Sequence, residues 1–155
     1  MTAEAMKRRD PSAAWVRTAV IAWAALLGVV AVRTLVQHES HDCYKPFYEP
    51  AGRNWLHGID EYQLNTMTCR YSPLANAAFA PLALTPTKVG GLLWRGVNVA
   101  AFLGGLSWWL RVYAPSWTRA RPAAAFLLVL PMAASTINAA QANPLLAGLL
   151  IAGTA

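Results

Sequence analysis

The chain has 155 residues, of which 56% are hydrophobic and 13% charged, with a formal net charge of +6. A soluble domain carries about a quarter charged residues, and the apolar residues here are gathered into the long blocks that a bilayer demands, which excludes an ordinary soluble domain. The cations are scattered rather than set in a basic stripe with interleaved aromatics, which excludes nucleic acid as a partner.

Residues 1–14 form a basic N-terminus, with Lys7, Arg8 and Arg9 ahead of the apolar run Trp15–Val32. That run leaves through Arg33-Thr34-Leu35-Val36-Gln37 without a small-x-small cleavage site, so residues 15–36 read as an uncleaved transmembrane helix rather than a signal peptide. A polar loop over 37–88 follows, with all three histidines, both cysteines and five of the seven acids. Inside it, Phe47, Ala51 and Trp55 recur at four-residue spacing, which predicts a short amphipathic helix over Pro46–His57 with Gly58 as its stop. Pro73–Leu84 is apolar but too short to cross comfortably, so it is expected to lie along or dip into the membrane surface.

Residues 89–113 form a second transmembrane block, with Arg95 and Asn98 one turn apart near its start. A loop over 114–121 leads to a third block over 122–139, broken by Pro131, and residues 140–155 begin a fourth. The fourth stops at Ala155 in mid-pattern, as a cut-short spanning helix would. Positive charge near helix ends sets orientation. Lys7, Arg8, Arg9 and Arg17 place the N-terminus in the cytoplasm, and Arg111, Arg119 and Arg121 place the 114–121 loop there too, provided Pro73–Leu84 does not span. The 37–88 loop and the Ile137–Asn143 corner then face outward. The fold class is therefore an all-α polytopic membrane protein of the cell membrane, with about four transmembrane helices.

Several polar residues fall on that outer side. Asp42 is either a surface aspartate or a general base held at the membrane surface. Arg70, next to Tyr71, suits a phosphate through its bidentate fork, or snorkels toward lipid headgroups. Asn138, Gln141 and Asn143 lie where an apolar helix turns back, which suits either a protein-lined cavity or helix–helix hydrogen bonding. Arg95 and Asn98 fit the same picture. His38, His41, Asp42 and Cys43 are all competent metal ligands, but their spacing matches no closed zinc pattern. Cys43 and Cys69 are either separate thiols or a disulfide closing a loop of about 25 residues, worth roughly 3 kcal/mol. Trp15, Trp108, Trp109 and Trp117 read as interfacial belt residues, and Trp55 and Trp94 as belt or groove residues.

The order of these pieces resembles the membrane-embedded C-type fold glycosyltransferases. It is most similar to the family 87 group (the DUF2029 type), which includes polyprenyl-phosphomannose-dependent mannosyltransferases. The counterparts are Asp42-Cys43-Tyr44-Lys45-Pro46-Phe47-Tyr48, Gly58-Ile59-Asp60-Glu61-Tyr62, Arg70-Tyr71-Ser72-Pro73-Leu74, Ala80-Pro81-Leu82-Ala83-Leu84-Thr85-Pro86, Leu93-Trp94 with Asn98, and Ala140-Gln141-Ala142-Asn143-Pro144-Leu145. Ser72 stands where the family has a proline, Ala140 where it has a glycine, and Cys43 where it has an aromatic. The likeness runs from about residue 15 to the C-terminus, although such enzymes have many more helices than this chain supplies.

The resemblance implies an inverting transfer of a hexose, mannose first among them, from a polyprenyl-phosphate donor to a lipid or glycan acceptor. It implies Asp42 as general base, Arg70 and Tyr71 at the donor phosphate, and Arg95, Asn98, Gln141 and Asn143 as further substrate-binding residues. No motif calls for a cofactor, and a divalent cation is the one left open. The alternative is a non-catalytic membrane protein, either a truncated remnant or a small partner-binding subunit. A transferase requires Asp42, Arg70 and Gln141 to converge on one cleft, and a scaffold does not.

Overall fold

A computed structural model describes residues 11–37, 42–60 and 71–155, and no strand occurs among them. The elements are α1 (Pro11–Val36), a short π-helical turn (Tyr44–Tyr48) running into α2 (Glu49–Leu56), α3 (Pro73–Ala83), α4 (Thr87–Tyr113), α5 (Ala120–Asn138) and α6 (Asn143–Gly153). Three helices are long and apolar enough to cross a membrane, namely α1 from Ser12 onward, α4 and α5. The chain is thus an all-α membrane protein.

α1 begins at Pro11, ahead of the apolar run, because proline suits the first turn of a helix, where its missing N–H has no partner to lose. The amphipathic segment begins earlier than its apolar spacing indicated, since the π-turn draws Tyr44 and Tyr48 inward before α2 starts. Gly58 takes a φ of 67°, the left-handed conformation that stops α2. α3 has 11 residues and so measures about 16 Å, roughly half the thickness of a hydrocarbon core. α5 runs through Pro131 without interruption.

Cross-links between helix ends set the directions. Lys88 at the start of α4 donates to the Leu35 carbonyl at the end of α1. The indole of Trp23 donates to the Phe126 carbonyl of α5 at 3.1 Å. Asn98 accepts the Leu145 N–H of α6 at 3.1 Å, and Tyr113 at the end of α4 bonds Thr154 at the end of α6. α4 and α6 therefore run parallel, and α1 and α5 run the other way. Gly105 and Gly148 allow α4 and α6 to touch backbone to backbone, since a Cβ on Gly105 would lie 2.8 Å from the Gly148 carbonyl carbon. Small residues at a crossing are how spanning helices approach closely without a hydrophobic driving force. One apolar cluster, built on Trp23, Val30, Val99, Phe102, Ala133 and Ile137, binds the spanning helices. A second, around Tyr44, Tyr48, Phe79 and Trp94, sits at the end where α1 and α5 finish and α4 and α6 begin.

Candidate functional site at the α5–α6 corner

That end of the bundle faces a backbone problem. A helix leaves its last four carbonyls without intrahelical partners, and buried carbonyls need donors. α5 ends at Asn138, and the next turn is closed by Ala140 at a φ of 54°. This is the left-handed position where glycine is usual, and glycine is the residue that Ala140 replaces in the motif. The carbonyls of Ile137, Asn138, Ala139 and Ala140 each receive a bond from another part of the chain. Arg95 Nε donates to Ile137 at 3.1 Å and Arg95 Nη2 to Asn138 at 2.8 Å. The Cys43 N–H donates to Ala139 at 2.8 Å, and the Trp94 indole to Ala140 at 2.9 Å. A cation at this position also complements the negative end of the helix dipole.

Arg95 joins this corner to the loop that follows α1. Its Nη2 also donates to Asp42 Oδ2 at 2.8 Å, and its Nη1 to the Gly91 carbonyl at 3.1 Å. Arg95 and Asp42 retain only 5% and 9% of their exposure, so the pair lies inside the protein. The other Asp42 oxygen, Oδ1, accepts the Lys45 N–H over a long 3.4 Å. It keeps lone pairs for a further donor.

A platform of aromatic rings packs at the same end of the bundle. Tyr48 lies 4.8 Å from Phe79 and 5.2 Å from Trp94, and Tyr71 stacks on its outer face at 6.1 Å. Burial and then the hydrogen bond to Tyr71 hold the Tyr48 phenol well above its usual pKa. Burial, reinforced by Glu49, pushes Tyr44 up to about 12. Its hydroxyl sits against Gly90, where a side chain would collide with it. Burial and the neighbouring Asp42 carboxylate raise Cys43, against the opposing pull of Arg95.

Asp42, Arg95 and the Asn138 carbonyl come together directly. Asn98 lies one turn beyond Arg95 and is fully buried, with its amide donating to the Trp94 carbonyl at 2.9 Å and its oxygen accepting from Leu145. Its oxygen thus links α4 to α6, and its amide nitrogen bonds within α4. Gln141 and Asn143 bond each other at 3.0 Å on the open side of the corner, where Asn143 is exposed. Tyr71 is 41% exposed beside Tyr48. Trp94 is buried and caps the corner, whereas Trp15, Trp55, Trp108 and Trp117 are exposed. Arg70, Cys69 with its pairing to Cys43, and the histidines 38 and 41 lie outside the described residues.

Glu49 went unnoticed in the sequence although it is buried. It accepts from Arg53 at 2.9 Å and from the Thr87 hydroxyl at 3.1 Å, tying α2 to the start of α4. The glutamate–arginine spacing of four was the available signal. Among the described residues no three of His, Cys, Asp and Glu side chains cluster as a metal site would require. A cleft of about 460 Å³ lined by Ser107, Arg111, Trp117 and Phe126 opens at the far end of α4. Arg111 lies 16 residues beyond Arg95, roughly 24 Å along the helix, so this cleft is separate from the corner.

Residues 70–155 match the sequence model described as glycosyltransferase family 87. That range contains Arg70, Tyr71, Arg95, Asn98, Gln141 and Asn143. Asp42 precedes it and is joined to it by the ion pair to Arg95. No curated protein and no solved structure matches the chain.

Proposed function

The chain belongs to glycosyltransferase family 87, and from that premise we propose an inverting, membrane-embedded hexosyltransferase of the C-type fold. Its donor is a polyprenyl-phosphate sugar, with mannose the first candidate, and its acceptor is a lipid or glycan hydroxyl on the outer face of the cell membrane. Asp42 takes the acceptor proton on Oδ1. The acceptor oxygen bonds the anomeric carbon as the bond from that carbon to the phosphate oxygen breaks, and the polyprenyl phosphate leaves with the electron pair. Arg70 and Tyr71 hold the phosphate. Gln141 and Asn143, on the open side of the corner, bind substrate hydroxyls.

The observation that carries this reading is the ion pair linking Asp42 to the matched region. It holds a buried carboxylate, whose Oδ1 makes only a long bond, at an end of the bundle where helix termini and polar side chains gather. The arginines at the opposite end of α4 and at the N-terminus support a cytoplasmic location for those ends, which turns the corner outward. A lipid-phosphate donor suits this placement because a polyprenyl chain lies in the bilayer with its phosphate at headgroup depth.

The test uses purified protein of native length in liposomes, supplied with either a radiolabelled polyprenyl-phosphohexose or the matching nucleotide sugar. Transfer from the lipid donor, with inversion at the anomeric carbon, is expected. Transfer from the nucleotide sugar, or retention of configuration, would overturn the proposal.

A further inference from the structure

Arginine is costly inside a membrane segment and is kept where it serves a site. Arg95 is the ninth residue of α4 and is buried, with its charge paired, among the described residues, to the Asp42 carboxylate. A guanidinium carries five N–H donors. Four are in use here, by Ile137, Gly91, Asn138 and Asp42. A phosphate gripped bidentately would need two free donors on one edge, and only one donor remains.

We propose that Arg95 is the positioning residue of the Asp42 carboxylate, fixing it against the α5–α6 corner through contacts to both, rather than a ligand for the donor phosphate. This rests on the transferase reading given above. One guanidinium spans three elements that lie far apart in the sequence. Nη2 alone holds Asp42 Oδ2 and the Asn138 carbonyl, both at 2.8 Å, so the distance from the carboxylate to the corner is set by a single nitrogen. The adjacent bond from Cys43 to Ala139 runs the loop backbone along the same turn, which leaves Asp42 little freedom to swing. Gripping Oδ2 directs Oδ1 away from Arg95, toward the acceptor. The Asn98 side chain supports the arrangement from one turn below by locking α6 to α4.

Three variants in the native-length protein test this, namely Arg95→Gln, Arg95→Lys and the double variant Arg95→Gln with Asp42→Asn. Misplacing a reacting group by about 1 Å costs on the order of 100-fold, so Arg95→Gln lowers kcat about 100-fold while KM for the donor stays within about twofold. Lysine keeps the charge but not the fork, so Arg95→Lys recovers about tenfold of that loss. Residues that act as a unit are non-additive, so the double variant is no slower than Asp42→Asn alone.

A second readout is independent of catalysis. In a Cys69→Ser background, Arg95→Gln frees the loop, and maleimide labels Cys43 about fivefold faster or more. A raised donor KM with kcat preserved makes Arg95 a phosphate ligand and overturns the proposal, as does additivity in the double variant. Should Asp42→Asn retain full activity, the general-base role of Asp42 fails by itself, and unchanged Cys43 labelling then refutes the positioning role. If Arg95→Gln does not assemble, Arg95→Lys decides, and wild-type kcat together with wild-type labelling in that variant refutes it.

Discussion

The contact between α4 and α6 predicts that two adjacent glycines respond oppositely to the same substitution. A Cβ on Gly148 would stand 2.6 Å from the Phe102 nitrogen, and one on Gly105 would stand 2.8 Å from the Gly148 carbonyl carbon. Both obstacles are backbone, so the helices must separate by about 1 Å to restore ordinary contact. Overpacking of this kind costs about 1–3 kcal/mol. The separation also strains the bond from Leu145 to Asn98, and a buried amide left unpaired costs a further ~1–3 kcal/mol. Gly104 has nothing within 4 Å of its would-be Cβ. Alanine there gains about 0.5–1 kcal/mol from helix propensity. Gly104→Ala is therefore neutral or stabilising, and Gly105→Ala and Gly148→Ala are destabilising by about 1–5 kcal/mol. The assay is unfolding in mixed micelles, followed by tryptophan fluorescence across a denaturing-detergent titration. Equal effects at positions 104 and 105 would refute the backbone contact.

Other outcomes follow from the corner and its surroundings. Ala140 occupies a left-handed position at a φ of 54°, where a Cβ costs roughly 1–2 kcal/mol, although its methyl is buried. Ala140→Gly should therefore be more stable than Ala139→Gly by about 1 kcal/mol in the same assay, and the reverse order would count against the corner geometry. Tyr44 is held protonated by burial, with its pKa raised from about 10 to about 12. The folded state thus keeps a proton that the unfolded state loses, so stability should fall as pH rises from 10 toward 12. Absorbance near 295 nm should show at least one phenolate appearing only with unfolding. Cys43, raised chiefly by burial, should react with maleimide more slowly at pH 8 than an exposed thiol. Its rate should keep climbing above pH 9, and an early plateau would contradict this.

Much of the architecture was legible because a bilayer imposes a coarse rule. Apolar length alone marks α1, α4 and α5, and proline-bounded brevity marks α3. The amphipathic repeat of Phe47, Ala51 and Trp55 located α2, but not the π-turn ahead of it, because apolar spacing does not register a tyrosine buried with its hydroxyl. Motif order marked the family. What a one-dimensional reading lacks is which helices pair. Gly105 and Gly148 belong to no local small-residue motif with each other, and their contact exists only because α4 and α6 run parallel. For the same reason the sequence did not pair Arg95 with Asp42 or with the Ile137–Asn138 carbonyls, which lie 53 and more than 40 residues away. Trp94 was indistinguishable from a groove residue until the Ala140 carbonyl stood opposite its indole. Glu49 was passed over because an acid in a polar loop is ordinarily solvated.

The account turns on Asp42 as the base that activates the acceptor. The most direct measurement is sugar transfer from a polyprenyl-phosphate donor by native-length protein carrying Asp42→Asn, with donor binding measured in parallel. Asparagine keeps the size and can still accept from Arg95, but it cannot take a proton. The account predicts donor binding close to wild type with kcat reduced about 100-fold or more. Undiminished transfer by Asp42→Asn would contradict it.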